Sequence, residues 1–281
     1  MKKILVPTDF TPIAELGLKL AVQIAKPVQA TVSLVHFTKH PLTTSFTATG
    51  DVTKKIDGEE DLFAVQLLLS NQKKLTQLVD TYGKDVKIDF SIVDDKFSDG
   101  MDGYVQNEQI DLVVMGTSGE ENAKEIFTGN HTERAIKVSA CPVLSVRDGF
   151  FISDFRNMVA AVMVMDEEKI QHGLRHLNTL AKVFQATVHL VHVVDQATDS
   201  KLDPGSFFSR LAATSLMVPY TISMLDGEDA PEAVMQFCER IRAGVMVVIK
   251  DSPGGFHLFS RHFSDRVVKE EGRPVLTIKS E

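Results

Sequence analysis

Residues 29–36 read Gln-Ala-Thr-Val-Ser-Leu-Val-His and residues 185–192 read Gln-Ala-Thr-Val-His-Leu-Val-His, so seven of eight positions agree at an offset of 156. Self-similarity at a fixed offset marks a repeated structural unit and has to be settled before any element is assigned. The same offset aligns Ala25-Lys26 with Ala181-Lys182 and Gly17-Leu18 with Gly173-Leu174, so the helix-like stretch before the strand repeats too. Further on, Cys141-Pro142-Val143-Leu144-Ser145-Val146 corresponds to Arg273-Pro274-Val275-Leu276-Thr277-Ile278 at offset 132. The chain is therefore read as a tandem duplication with its seam near 148–156. Its 281 residues become one domain over 1–148 and a second over 154–281, each of ordinary domain size.

Working outward, the first copy alternates short β-branched runs at 3–8, 31–37, 86–93, 111–115 and 142–146 with segments near 12–26, 60–82, 98–109 and 126–139. In 60–82, Leu62, Val65, Leu68, Leu69, Leu75 and Leu78-Val79 recur at helical spacing, with Lys73, Lys74 and Asp80 between them. Five strands joined by four helices predict a doubly wound, parallel α/β sheet. Continuous apolar runs such as Leu112-Val113-Val114-Met115 suit strands covered on both faces. The second copy repeats the order, with strands near 158–165, 187–193, 219–225, 245–249 and 274–279. The expected fold is two tandem, doubly wound, parallel five-stranded sheets flanked by helices. The copies differ after the second strand, where 38–60 is a polar stretch read as a mobile insertion.

Composition narrows the function classes. A hydrophobic fraction of 43% and a charged fraction of 24% are those of a globular protein. No apolar run approaches the roughly 18 residues that span a bilayer, and Met1 to Asp9 reads as a strand, not a leader. Two cysteines in unrelated contexts give no disulfide framework and no zinc site, and fit a reducing, cytoplasmic setting. The net charge of −8 is shared by both halves, with 16 basic against 21 acidic residues in 1–148 and 14 against 17 in 149–281. That balance disfavours nucleic acid as a partner.

In doubly wound sheets ligands collect beyond the carboxyl ends of the strands. The fourth strand of the first copy runs into Met115-Gly116-Thr117-Ser118-Gly119, and nine residues later Gly129-Asn130-His131-Thr132-Glu133 opens a helix. Glycines there let backbone N–H groups approach an anion, and a helix start adds unpaired amides and its positive dipole end. Asn130 and Thr132 add donors, or cap the helix. Neither a Walker loop nor Gly-x-Gly-x-x-Gly is present.

The pattern Gly116-x2-Gly119-x9-Gly129-Asn130 resembles the nucleotide-binding signature of the universal stress protein family, Gly-x2-Gly-x9-Gly-Ser/Thr, with Asn130 departing at the last position. Ile4-Leu5-Val6-Pro7-Thr8-Asp9-Phe10 and Cys141 to Val146 resemble that family's first and last strands. The resemblance covers both copies and implies a Rossmann-like fold of the adenine nucleotide α-hydrolase type, with an ATP pocket in the first. By that resemblance Pro7, Thr8 and Asp9 border the nucleoside, with Asp9 as the pocket carboxylate. Phe37 sits where the backbone meets the adenine edge, and Met115 through Gly119 with Gly129 through Thr132 form the phosphate and ribose loops. On the residues alone, Asp9 equally caps a helix and Phe37 is equally a core aromatic. Mg²⁺ would arrive with the triphosphate. No general base, arginine finger or Walker-type magnesium ligand is evident, so hydrolysis would at most be slow. The family's dimers join through their fifth strands, so 142–146 and 274–279 are expected to pair within this chain as a pseudo-dimer, with a further homodimer left open.

The second copy replaces Gly116 with Lys250, Gly119 with Pro253, and Gly129-Asn130 with Arg261-His262, so its site is read as degenerate, with Asp166 standing in for Asp9 and Gly254-Gly255 as an ordinary turn. His36, His189 and His192 are read as hydrogen-bonded structural histidines, since strand alternation puts His189 and His192 on opposite faces. Glu59-Glu60-Asp61 reads as a solvated helix start, and Asp94-Asp95 as an acidic loop. Two other readings remain: a stress scaffold of the same fold that binds no nucleotide, and an adenylate-transferring enzyme of the wider group. The latter needs a Ser-Gly-Gly-x-Asp-Ser loop after the first strand, where this chain has Pro7-Thr8-Asp9-Phe10-Thr11.

Overall fold

The computed structural model describes residues 1–38, 59–117, 135–136, 139–147, 149, 152–162, 167–194, 203–227, 229–251 and 273–280. The chain divides into two compact units, Met1–Cys141 and Pro142–Glu281. In the first, strands β1 (Lys3–Pro7), β2 (Thr31–Phe37), β3 (Ile88–Val93) and β4 (Leu112–Gly116) alternate with helices α1 (Pro12–Val28), α2 (Glu59–Tyr82) and α3 (Phe97–Asn107). Their order is β3-β2-β1-β4, all parallel. The chain steps outward from β1 to β3 and then returns to the other side of β1. The topological switch point therefore lies between β1 and β4.

The second unit begins with β5 (Val143–Val146), followed by a short 3-10 turn at Ile152–Arg156. Then come β6 (Asn157–Ala161), α4 (Glu167–Phe184), β7 (Thr187–Val193), α5 (Pro204–Ser215), β8 (Tyr220–Leu225), α6 (Ala230–Ile241), β9 (Val245–Asp251) and β10 (Val275–Ser280). The order β8-β7-β6-β9-β10-β5 is parallel except at β5, which runs antiparallel to β10 with Leu144 opposite Leu276. The Ser145 hydroxyl donates to the Val275 carbonyl inside this pair at 3.1 Å. The sheet is thus mixed at one place, where 142–146 meets 274–279. This pairing also explains why the compact units divide at Cys141/Pro142 while the sequence repeat has its seam at 148–156: β5 belongs to the first repeat but packs with the second.

The repeated stretch shows why it repeats. Gln29 and Gln185 both adopt left-handed backbone, with φ 53° and 52°. The amide of the next residue reaches back five positions, Ala30 to Ala25 at 3.1 Å and Ala186 to Ala181 at 2.9 Å. That is the Schellman closure, which ends the helix and launches the strand in three residues. The strands that follow are largely buried, with Val32, Leu34 and Val35 in one copy matched by Val188, Leu190 and Val191 in the other.

Helix α1 crosses the end of β4 with no room for a side chain between them. A Cβ on Gly116 would lie 1.7 Å from the Ile13 carbonyl oxygen, and one on Gly17 would lie 2.9 Å from the Gly116 amide nitrogen. Of the helix expected over 126–139, Ala135, Ile136 and Ser139 are described: the first two are helical and buried, and the buried Ser139 donates its amide to Ala135 O at 2.9 Å. The 38–60 insertion lies outside the described residues apart from its ends.

Two glycine substitutions should separate packing from backbone entropy. Gly116→Ala should lower stability by about 1–3 kcal/mol or more, the range for overpacking. Gly103→Ala should raise it by about 0.5–1 kcal/mol, because the site is open and the residue sits inside a helix. Urea denaturation midpoints of the two variants check both signs.

Candidate functional site

The carboxyl ends of β1, β2 and β4 meet at the switch point, and Pro7 helps to open it. The register of β1 with β2 continues to Pro7↔Val35, whereas that with β4 stops at Leu5↔Val113. Alternation along β1 turns the backbone of residue 7 toward β4, and proline has no N–H to donate there. The ladder between β1 and β4 therefore ends before that between β1 and β2, on the side where a switch-point ligand would lie.

The chain then leaves the sheet along a fixed path. The Thr8 amide closes the last rung on Val35 O at 2.8 Å, and His36 Nδ1–H donates to Thr8 O at 2.8 Å. Since a carbonyl only accepts, this bond fixes the imidazole tautomer. Phe10 turns the chain with a left-handed φ of 68°, and its ring lies 4.6 Å from that of His36. Lys74 Nζ stands 4.9 Å above the Phe10 ring, within cation–π range.

Asp9 serves two sides at once. Its Oδ1 accepts from the Thr11 amide at 3.0 Å and the Thr11 hydroxyl at 2.6 Å. Thr11 Oγ1 in turn accepts from the Ala14 amide at 3.2 Å and caps α1, with Pro12 at the first helical position. The helix-capping reading of Asp9 is therefore met by one oxygen, through Thr11. The other, Oδ2, is buried and has no hydrogen-bond partner among the described residues. A buried, unpaired carboxylate oxygen is costly, and a ligand hydroxyl is one way of relieving it.

The Phe37 side chain is a core aromatic, edge-on to Phe97 at 5.5 Å and Tyr104 at 6.2 Å. Its backbone is another matter. Val35 O points to β1, so alternation points Phe37 N–H and C=O the same way, beyond the last rung that Thr8 supplies. At the end of β4, Met115 and Thr117 are buried, and Gly116 lies against α1. Pro7, Thr8, Asp9, Phe37, Met115, Gly116 and Thr117 thus come to one end of the first sheet. Ser118, Gly119, Gly129, Asn130, His131 and Thr132 lie outside the described residues.

Sequence reasoning did not single out Lys74, Phe10 or the bond from His36 to Thr8. Beside them, an open groove of about 410 Å³ runs between the start of α1 and the later half of α2, lined among others by Thr8, Phe10, Lys74 and Tyr82. Glu15 sits at its rim, where the Tyr82 hydroxyl first, and Lys19 second, hold its carboxyl below the usual range. Among the described residues no group of three or more His, Cys, Asp or Glu side chains is arranged to hold a metal.

A family model described as the universal stress protein family matches residues 1–147. The chain belongs to the universal stress protein family. Universal stress protein MJ0577 of Methanocaldococcus jannaschii is 30% identical over 156 residues, covering 52% of this chain and 94% of the relative. Universal stress protein MJ0531 of the same organism is 29% identical over 152 residues, covering 52% and 82%. Among solved structures, a universal stress protein from Archaeoglobus fulgidus covers 99% of this chain and 98% of its own, with a TM-score of 0.71. At 16% identity that likeness speaks for the fold alone.

The second unit of this universal stress protein keeps the backbone path and changes the side chains. Val162 N–H donates to Val191 O at 2.9 Å, and His192 Nδ1–H donates to Val162 O at 3.1 Å, matching Thr8, Val35 and His36. Apolar Val162, 2% exposed, stands where Thr8 offers a hydroxyl, and the buried Phe208 ring lies 5.1 Å from His192. Asp166, Pro253, Gly254, Gly255, Arg261 and His262 lie outside the described residues.

His189 and His192 do face opposite ways. His189 pairs with Thr221 Oγ1 at 2.8 Å and Asn157 Oδ1 at 3.4 Å, on the face where Phe237 of α6 packs. Burial pushes the His189 imidazole below its ordinary value. A depressed folded value means that the unfolded chain binds the extra proton first. Stability from the neutral ring is therefore lost as pH falls through the unfolded value of about 6.5. His189→Gln should lose less stability than the parent protein between pH 7.5 and 5.5, read as the change in urea midpoint.

Proposed function

We propose that the first unit binds an adenine nucleotide, ATP in the leading case, and that the protein acts as a nucleotide-responsive stress factor in the cytoplasm. The observation that carries this reading is Asp9 Oδ2, a buried carboxylate oxygen with no hydrogen-bond partner among the described residues at the switch point. In this reading it accepts a hydrogen bond from a ribose hydroxyl. Phe37 N–H and C=O, facing the side that β1 has vacated, meet the adenine edge. Pro7, Thr8, Met115 and Thr117 wall the nucleoside, and Lys74 adds positive charge close by. The amides of Gly116 through Gly119 and the helix start at Gly129, Asn130, His131 and Thr132 receive the phosphates. No metal cluster is required of the protein, because Mg²⁺ comes with the triphosphate and is held mainly by its oxygens and water.

One nucleotide per chain follows from the difference between the copies. Val162 in place of Thr8 and, by strand register, Ile249 in place of Gly116 remove a hydroxyl and a close backbone approach from the second unit, and Pro253, aligned by sequence with Gly119, removes an amide. The chemistry favours binding over turnover: among the named site residues, the one carboxylate is engaged in capping α1 through Thr11.

Asp9→Asn keeps an oxygen for Thr11 but gives the other position a donor where an acceptor is needed. It should weaken ATP about 10- to 100-fold while the fold is retained, the range for a hydrogen bond to a charged group. Gly119→Val should abolish binding, and changes at Pro253 should leave it untouched. Calorimetric titration and thermal stabilisation by ATP check these effects. Mass spectrometry of the small molecules released from natively purified protein tests the reading itself. Two nucleotides per chain would overturn the single-site assignment, and no nucleotide with no thermal stabilisation would favour the non-binding scaffold.

A further inference from the structure

Strand β8 is the last strand of the second sheet, and its outer edge is paired with no other strand among the described residues. Val188 N–H donates to Pro219 O at 2.9 Å and Val194 N–H donates to Leu225 O at 2.8 Å, so the odd-numbered residues of β8 turn their backbone inward to β7. Alternation then turns the N–H and C=O groups of Tyr220, Ile222 and Met224 outward. Met217 is 81% exposed, Tyr220 37% and Met224 38%, a concentration of exposed large apolar side chains on one short segment. Residues 217–225 contain no ionisable group other than the Tyr220 phenol. Soluble proteins ordinarily guard such an edge with charge, proline or a bulge placed along it, and the proline of this segment, Pro219, turns its backbone inward to β7.

The outer edge of the first unit's sheet, β3, carries charge. Its outward residues Ile88 and Ile92 are buried, and Asp89 is exposed and paired with Lys87 at 3.0 Å.

The geometry points to β8 as a self-association edge, which takes the β8 strand of a second copy of this chain in antiparallel register centred on Ile222. In that register Ile222 faces Ile222, and Tyr220 faces Met224 twice. Every outward N–H and C=O of the three residues is satisfied as a hydrogen-bonded pair. The thioether-to-aromatic contact it creates is a favourable one. Two chains of net charge −8 repel at long range, so contact costs least where neither presents charge, and here Asp226 faces only the apolar Val218 of the other copy. A foreign strand would need a matching uncharged edge, whereas this one is complementary to itself. The inference is independent of nucleotide binding.

Sedimentation of the full chain over a range of concentrations should show a monomer–dimer equilibrium that salt strengthens. Ile222→Pro removes an N–H that the β7 ladder does not use, and should leave a folded monomer. For register, Tyr220→Cys and Met224→Cys chains are mixed and oxidised. The mixture should give a disulfide-linked dimer, and each variant alone should not, because like positions stand about 14 Å apart along the strands. The native cysteines interfere little: Cys238 is buried, and burial pushes the Cys141 thiol up to about 11. A parent protein that stays monomeric at every concentration overturns the inference. So does an Ile222→Pro variant that dimerises as well as the parent, or single variants that cross-link as readily as the mixture.

Discussion

The contact between the first turn of α1 and the end of β4 governs the first unit. The Ile13 carbonyl occupies space that any Cβ at position 116 would fill, and Gly17 lets the same helix lie against the Gly116 amide. Because the helix sits this low, its start comes over the switch point. Thr11 then caps it there, and Asp9 is drawn in to hold Thr11. A carboxylate that reaches the switch point is thus a consequence of helix packing. In the second unit Gly173 is kept, but what it meets is the flexible side chain of Ile249 and not backbone. The sequence alignment puts Lys250 at the place of Gly116, but the strand register puts Ile249 there, so the second copy meets its helix with a side chain where the first has none.

Where the helix sets the roof, proline and histidine set the opening. Pro7 ends the β1–β4 ladder early because it has no amide on that side, while Thr8 extends the β1–β2 ladder by one rung. The asymmetry falls on the β4 side, and His36 holds the departing carbonyl so that Phe10 can adopt its left-handed turn. A left-handed conformation at a bulky residue is disfavoured by about 1–2 kcal/mol. Packing of Phe10 between His36 and Lys74 offsets that cost.

Most of the fold was legible in the sequence because the duplication let each copy check the other. Strands expected at 31–37 and 187–193 have those bounds, and that at 111–115 is displaced by one residue, since apolar runs between turn residues report local geometry directly. The membership of β5 was harder to read, because its pairing with β10 joins residues 130 apart and leaves no local trace beyond the matched sequences themselves. At the site, Asp9 and the glycines could be recognised as residue types at a strand end. That one Asp9 oxygen is engaged by Thr11 while the other has no partner among the described residues is a matter of side-chain placement, which no sequence pattern records. Lys74 falls on the polar side of the α2 periodicity, and only the approach of the chain at Phe10 gives it a partner.

The duplication also separates what both copies keep from what only one of them has. The bond from the strand-end histidine to the carbonyl after the first strand is present in both copies, at 2.8 and 3.1 Å. The Thr8 hydroxyl is not: its counterpart is Val162, and the counterpart imidazole packs against the buried Phe208. The histidine persists because the chain must still leave the first strand at the same angle to reach its helix. His36 is therefore a positioning residue of the fold, and the first copy is set apart by the Thr8 hydroxyl, which accepts from the Phe10 amide at 3.1 Å, and by Gly116, which alone leaves room for the Ile13 carbonyl.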